Sequence, residues 1–352
     1  MTELYPPVEP HDGGVLDVGD GNRVHWQVCG APDGKPALVV HGGPGQGCTP
    51  RMARVFDPER YRVVLLDQRG CGRSTPHASD PATDLSVNTT EHLLRDVELL
   101  REHLGVERWL LHGGSWGSTL ALAYAQRYPH RVSEIVLSAV TTTRRSEIDW
   151  LYRGLRRFFP HEWERFRDGV PEADRDGDLV AAHARLLEDQ DPAVRAAAVR
   201  NWATWEDAIL SLEPDGRPDA LTDLPSDDLV AFVRLCAHYF SHGAWLEEGV
   251  LLREAGRLAG IPGVLVHGRL DLTSPLDTAW ELAKAWPDAR LHVLDGGGHR
   301  MAGRSREIVI GALDEFARRE ARRTPTLHSR TPVRGTSGHD VPRLVDSPPP
   351  VA

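Results

Sequence analysis

Ser115 lies in Leu110-Leu111-His112-Gly113-Gly114-Ser115-Trp116-Gly117-Ser118, which reads Gly-x-Ser-x-Gly. A serine hydroxyl is too weakly acidic to attack a carbonyl carbon unaided. An imidazole must take its proton, and a carboxylate must fix the imidazole tautomer and stabilise the imidazolium that forms. The chain offers both in glycine-containing stretches downstream: Asp271 closes Gly268-Arg269-Leu270-Asp271, and His299 closes Asp295-Gly296-Gly297-Gly298-His299. Singly, each would be an ordinary turn residue. Together, each following a strand-like apolar run, they read as the base and the orienting acid of a serine nucleophile. His112, His267 and His292 lie within strand-like runs or before turns and read as packed or hydrogen-bonded residues. No spacing of His and Cys suits a metal ion, and no cofactor is expected.

These side chains need elements to hold them. The apolar run Trp109 to Leu111 leads into Ser115, and the helix-like run Thr119 to Tyr128 leaves it. Strand, sharp turn and helix is the context a nucleophile elbow requires. A serine on such a strained turn crowds its neighbours, so glycine at 113 and 117 leaves it room. The turn also sets the hydroxyl at a helix N-terminus, where developing negative charge is favoured. Upstream, residues 13–29 alternate as a β-hairpin, and Ala37 to Val40 read as a strand covered on both faces, ending in His41-Gly42-Gly43-Pro44-Gly45. Tyr61 to Leu66 form another buried strand, followed by Asp67-Gln68-Arg69-Gly70-Cys71-Gly72-Arg73-Ser74, a loop expected to support the elbow without direct chemistry. Asn88 is expected to open a helix with Glu91 as its capping-box partner, and Leu93, Val97, Leu100 and Leu104 line its core face.

A strand over 131–137 precedes a change of rhythm. Over 141–256 strand-like runs vanish and helix-like stretches such as 146–159 and 192–210 take over, a span too long for a connecting loop. A helical cap inserted into a sheet domain is the expectation. The sheet resumes at Gly263 to His267, followed by a helix over 277–285, a strand over 290–294 and a closing helix with Val309, Leu313 and Phe316 inward. Residues 321–352 are rich in proline with little apolar clustering and are expected to be disordered. The organisation is thus an α/β fold with a mostly parallel sheet flanked by helices: a first core part over 1–140, a cap over 141–256, a second core part over 257–320 and the tail.

Bulk properties narrow the function. With 352 residues, 40% hydrophobic and 26% charged, the composition is that of a soluble globular protein. A formal net charge of −10 supplies no basic face for nucleic acid. No apolar run approaches the roughly 20 residues of a membrane span, so no membrane partner is expected. The acidic, proline-rich MTELYPPVEP start is unlike a signal peptide. Cys29, Cys48, Cys71 and Cys236 lie far apart with no Cys-x-x-Cys pair, which points to reduced thiols and a cytoplasmic setting.

The chain order Ser115, Asp271, His299 is that of the α/β-hydrolases. There the loop after an early strand and the residue after the nucleophile each donate an N–H to the oxyanion, here Gly43 and Trp116, each worth about 3 kcal/mol of barrier. Longer stretches resemble the prolyl aminopeptidase, or proline iminopeptidase, family: LYPPVEP near the start, HGGPG at 41–45, DQRGCGRSTPHAS at 67–79, GGSWGSTLALAYAQ at 113–126, RRSEIDW at 144–150, W-x-x-W-E at 202–206, HYF at 238–240 and HGRLD at 267–271. The resemblance runs from Leu4 to Met301 and implies a serine peptidase that removes N-terminal proline, with Ser115, Asp271 and His299 as triad. It also implies that Glu206 is one of two cap glutamates that bind the substrate amine, a charge that needs a compensating carboxylate once out of water. Cys236 stands where the second belongs, Thr141 and Leu151 stand where the family has pocket aromatics, and Ser274 replaces a cysteine. Glu247 and Glu248 follow the HYF closely and are expected on the surface.

Three readings follow. The first is an aminopeptidase taking a peptide or small amine-bearing acyl substrate with proline or a related residue at its N-terminus. The second is an esterase or amidase of the same fold with an altered acyl pocket. The third, a binding protein without catalysis, is disfavoured because the elbow, both oxyanion loops and the Asp271 and His299 loops are all present.

Overall fold

The computed structural model describes residues 3–214 and 216–323. A hairpin comes first, β1 (Asp12–Gly19) and β2 (Asn22–Gly30), turning at Asp20 and Gly21. Then come β3 (Lys35–Val40), β4 (Tyr61–Leu66), α1 (Thr90–His103), β5 (Trp109–Ser115), α2 (Trp116–Arg127) and β6 (Val132–Val140). Among the described residues six α-helices follow without a strand: α3 (Arg145–Tyr152), α4 (Pro160–Asp168), α5 (Leu179–Leu187), α6 (Pro192–Leu212), α7 (Ser226–Ser241) and α8 (Val250–Arg253). The chain then returns to β7 (Gly263–Gly268), α9 (Leu276–Ala285), β8 (Ala289–Leu294) and α10 (Gly303–Arg323). From residue 324 onward the expected tail lies outside the described residues.

The eight strands form one sheet in the order β1-β2-β4-β3-β5-β6-β7-β8, antiparallel from β1 to β4 and parallel from there on. The central strands are continuous apolar runs because helices cover both faces. On one face Val309, Leu313 and Phe316 of α10 pack against Tyr61, Val63, Leu110 and Val266, and on the other Leu93, Val97 and Leu120 meet Leu38, Leu111 and Leu137. Leu110 and Leu111 of β5 are wholly buried on opposite faces, each side chain contributing about 1.5–3 kcal/mol, so the strand that carries Ser115 is anchored from both sides. The loop after β4 is clamped to α1 by a buried ion pair, Arg69 Nε to Asp96 at 2.7 Å.

Two local expectations change. Thr89 is the residue before α1, so Asn88 and Glu91 form no capping box. Tertiary partners have recruited Asn88 instead: its amide donates to the Arg69 carbonyl (3.1 Å) and its oxygen accepts from the Tyr239 hydroxyl (2.6 Å). The helix expected over 146–159 stops at Tyr152 and gives way to a short 3₁₀ turn over Gly154–Arg157. Among the described residues no helix is long and apolar enough to cross a membrane.

Candidate active site

Ser115 joins β5 to α2 with φ 54° and ψ −130°, a strained conformation for a residue with a side chain. The flanking glycines permit it. A Cβ at Gly117 would lie 2.1 Å from the Val40 carbonyl oxygen, and one at Gly113 would lie 2.6 Å from the Gly117 oxygen. β3 therefore abuts the elbow, and its loop is at hand: a Cβ on Gly42 would sit 3.6 Å from Ser115 Cβ. Gly43 follows at φ +112°, where a Cβ would collide with the Gly45 nitrogen at 2.5 Å. Trp116 is the first residue of α2, so its N–H has no intrahelical partner by position.

Gln68 ties these parts together. Its Oε1 accepts from Trp116 Nε1 (3.0 Å), its Nε2 donates to the His41 carbonyl (3.1 Å), and its N–H donates to His41 Nε2 (3.0 Å). Since Nε2 of His41 accepts, Nδ1 carries the proton and donates to the Gly42 carbonyl at 2.9 Å. Burial holds His41 below the usual histidine pKa, so this neutral tautomer is the resident one.

Asp271 and His299 come from loops after β7 and β8. His299 Nδ1 lies 3.0 and 3.1 Å from the two Asp271 carboxylate oxygens. Asp271 is buried and also accepts the Ser274 N–H at 2.7 Å. Beneath it, His267 Nδ1 accepts from the Val140 N–H (3.0 Å), so Nε2 donates to the Ser274 carbonyl (2.7 Å) and lies 3.7 Å from Asp271. Burial alone would lower the His299 pKa. Asp271, through charge and hydrogen bond, then Glu213 and Glu206 outweigh burial and raise it to about 9. Among the described residues Ser115 Oγ makes no hydrogen bond to His299. In unliganded sites such contacts are commonly long and tighten with substrate.

Glu206 is presented by α6. Its Oε1 accepts from the Tyr152 hydroxyl (2.6 Å) and from Trp202 Nε1 (2.7 Å), one helical turn earlier. Burial raises its pKa, while both of these hydrogen bonds and the charge of His299 oppose that rise. Cys236 lies on α7 with Sγ 3.5 Å from the Pro44 carbonyl, and Glu206 acts on its thiol electrostatically. Cys236 is thus packed between the cap and the His41–Gly45 loop. Thr141 is committed to Glu147 (2.7 Å), and Leu151 is buried among the helices. Glu247 and Glu248 are exposed, engaged by Arg253 and by the Arg145 N–H.

The structure therefore pairs Asp271 with His299, brings Gly42, the neighbour of Gly43, beside Ser115, and sets Glu206 within electrostatic range of the imidazole. Sequence reasoning missed Tyr152 and Glu213 and gave Trp202 and Gln68 no individual role, although Trp202 lies in the W-x-x-W-E stretch four residues before Glu206 and Gln68 in the loop expected to support the elbow. No group of three or more His, Cys, Asp and Glu among the described residues could hold a metal ion.

A mostly parallel sheet presenting a strained serine turn on a central strand, with a histidine–aspartate pair after two later strands, is the architecture of an α/β-hydrolase. The family model for the alpha/beta hydrolase fold matches residues 35–301. A probable proline iminopeptidase of Streptomyces coelicolor is 50% identical over 319 residues, covering 90% of this chain and 98% of that protein. The proline iminopeptidase of Arabidopsis thaliana is 42% identical, covering 87% of this chain and 80% of its own. The crystal structure of proline iminopeptidase from Mycobacterium smegmatis, 18% identical, superposes with a TM-score of 0.55, covering 88% of this chain and 100% of that one, and shows the fold alone. The chain belongs to the proline iminopeptidase family of α/β-hydrolases, a family of serine aminopeptidases.

Proposed function

We propose that this chain releases the N-terminal residue, proline or a related one, from a peptide or small amine-bearing acyl substrate. Ser115 is the nucleophile, His299 the general base and Asp271 its orienting partner. His299 takes the Ser115 proton as the Oγ–C bond forms, and the oxyanion is met by the Gly43 and Trp116 N–H groups. The imidazolium then protonates the leaving amine as the C–N bond breaks, and water repeats the sequence on the acyl-enzyme.

The observation that carries the aminopeptidase reading is Glu206. One oxygen is tied to Tyr152 and Trp202, which leaves the other to meet a substrate ammonium. Both fixed contacts are donors, which favours the ionised carboxylate such an ammonium needs. The helices over 141–256 then act as a cap that shields the site and shapes the acyl pocket. Thr141, Leu151 and Cys236 supply no aromatic wall for a pyrrolidine ring, so preference among N-terminal residues is relaxed by about 1–3 kcal/mol. The four free cysteines support a reducing, cytoplasmic setting.

The test is covalent. A fluorophosphonate should label the wild type once, at Ser115, and abolish turnover of a prolyl anilide in proportion. Ser115→Ala should neither label nor turn over. Labelling at another residue, or turnover by Ser115→Ala, refutes the assignment.

A further inference from the structure

We propose that Glu213 is a positioning residue for the base: it ties the cap helix that carries Glu206 to both loops of the His299–Asp271 pair. This rests on the triad reading above. Glu213 follows the last residue of α6, seven positions after Glu206, so two helical turns bring both carboxylates to the same side of the helix. Glu213 is 5% exposed and its carboxylate faces donors. Oε2 accepts the His299 N–H at 2.5 Å. Oε1 accepts the Leu272 N–H at 2.9 Å and lies 3.4 and 3.5 Å from the Thr273 N–H and hydroxyl. One side chain thus bridges the residue after Asp271 and His299 itself.

The close approach is built into the His299 loop. A Cβ on Gly298 would lie 2.9 Å from Glu213 Oε2, 3.0 Å from its Cβ and 3.2 Å from Pro214 Cδ, so only glycine lets this carboxylate reach the backbone of the base. Glutamine cannot replace it. Both oxygens face N–H donors, and an amide would point its own NH₂ at one of them. The groups facing His299 are Asp271 and His267 from the β7 side, Glu206 from α6 and Glu213 just after it. Glu213 therefore acts on the imidazole in two ways. It holds the ring's backbone against Asp271, and its charge favours the imidazolium. Because it directly follows α6, the helix that presents Glu206, one side chain links the end of that cap helix to the base.

The test compares the wild type with Glu213→Gln and Glu213→Asp on a prolyl anilide over a range of pH, with active sites counted by fluorophosphonate. Glu213→Gln should lower kcat per titrated site by about 10²-fold, the cost of a misplaced catalytic group. It should also move the acidic limb of kcat down by about 1 pH unit, because a carboxylate near the imidazole is gone. Glu213→Asp keeps the charge and loses the reach, so kcat should fall while the limb stays. Gly298→Ala should resemble Glu213→Asp. If kcat per titrated site and the limb are unchanged in Glu213→Gln, or if only the number of titrated sites falls, the positioning role is refuted and Glu213 merely supports folding. The triad reading fails separately, through turnover by Ser115→Ala.

Discussion

Glu206→Gln isolates the charge that selects a free amine. The substitution keeps an oxygen that can still accept from the Tyr152 hydroxyl and Trp202 Nε1, now 2.6 and 2.7 Å from Oε1, so α6 keeps its local contacts. What disappears is the negative charge available to an ammonium. At about 4 Å and an effective dielectric of about 20, that attraction is about 4 kcal/mol. Desolvation of the ammonium offsets part of it, leaving about 1.5–3 kcal/mol for a charge-assisted hydrogen bond. This corresponds to a drop in kcat/KM of about ten- to a hundredfold for a prolyl anilide, mostly in KM. A neutral ester of the same size should change by less than about twofold, since it presents no charge. Stability gives an internal control. Burial raises the Glu206 pKa above its unfolded value, so any contribution it makes to stability is present at acid pH and lost as pH rises through the folded pKa. At neutral pH the charge is a burden to the fold, and Glu206→Gln should melt no lower than the wild type. Equal losses on the anilide and the ester would refute the amine-binding role, as would no loss on either.

For a neutral ester, kcat/KM of the wild type should rise with pH up to about 9, because His299 must be unprotonated to act as base and its pKa is raised to about that value; a plateau already complete at pH 6 contradicts this. His299→Ala should lower kcat by about 10⁴-fold in a folded protein, and retained turnover would mean another base is at work. Gly117→Ala should destabilise by about 3 kcal/mol in denaturant melts, since its Cβ would meet the Val40 oxygen at 2.1 Å; an unchanged midpoint would refute the packing argument. Asp96→Ala removes the closer, buried carboxylate from the Arg69 guanidinium and should cost about 3–5 kcal/mol, read from the same melts; a loss below about 1 kcal/mol would show that Asp20 and the Val18 and Val87 carbonyls suffice to hold Arg69.

What could be read from the residues, and what could not, follows from the range of each interaction. β3, β5 and β7 are apolar runs bounded by glycine, and the elbow is a glycine spacing enforced by contacts between adjacent elements, so local pattern suffices for them. The Asp271–His299 pair was legible because each residue ends a strand-loop unit of recognisable type. Asn88 misled because a residue suited to capping was taken by Tyr239, 151 positions away. Glu213 was silent for a similar reason: its partners are backbone N–H groups 59 and 86 residues distant, and a backbone donor leaves no mark in a sequence. Cys236 looked like a simple loss of a carboxylate. Its thiol against the Pro44 carbonyl shows that the position also sets how α7 rests on the loop beside Ser115.

The demand for a free amine at Glu206 is tested most directly by kcat/KM for prolyl anilide against N-acetylprolyl anilide with wild-type protein, normalised to fluorophosphonate-titrated Ser115. Turnover of the free amine and a loss of at least about a hundredfold on acetylation are expected, because the acetyl group removes the charge and adds bulk where Glu206 meets the substrate. Equal turnover of the two anilides would contradict that demand and make the chain an amidase or esterase of the same fold.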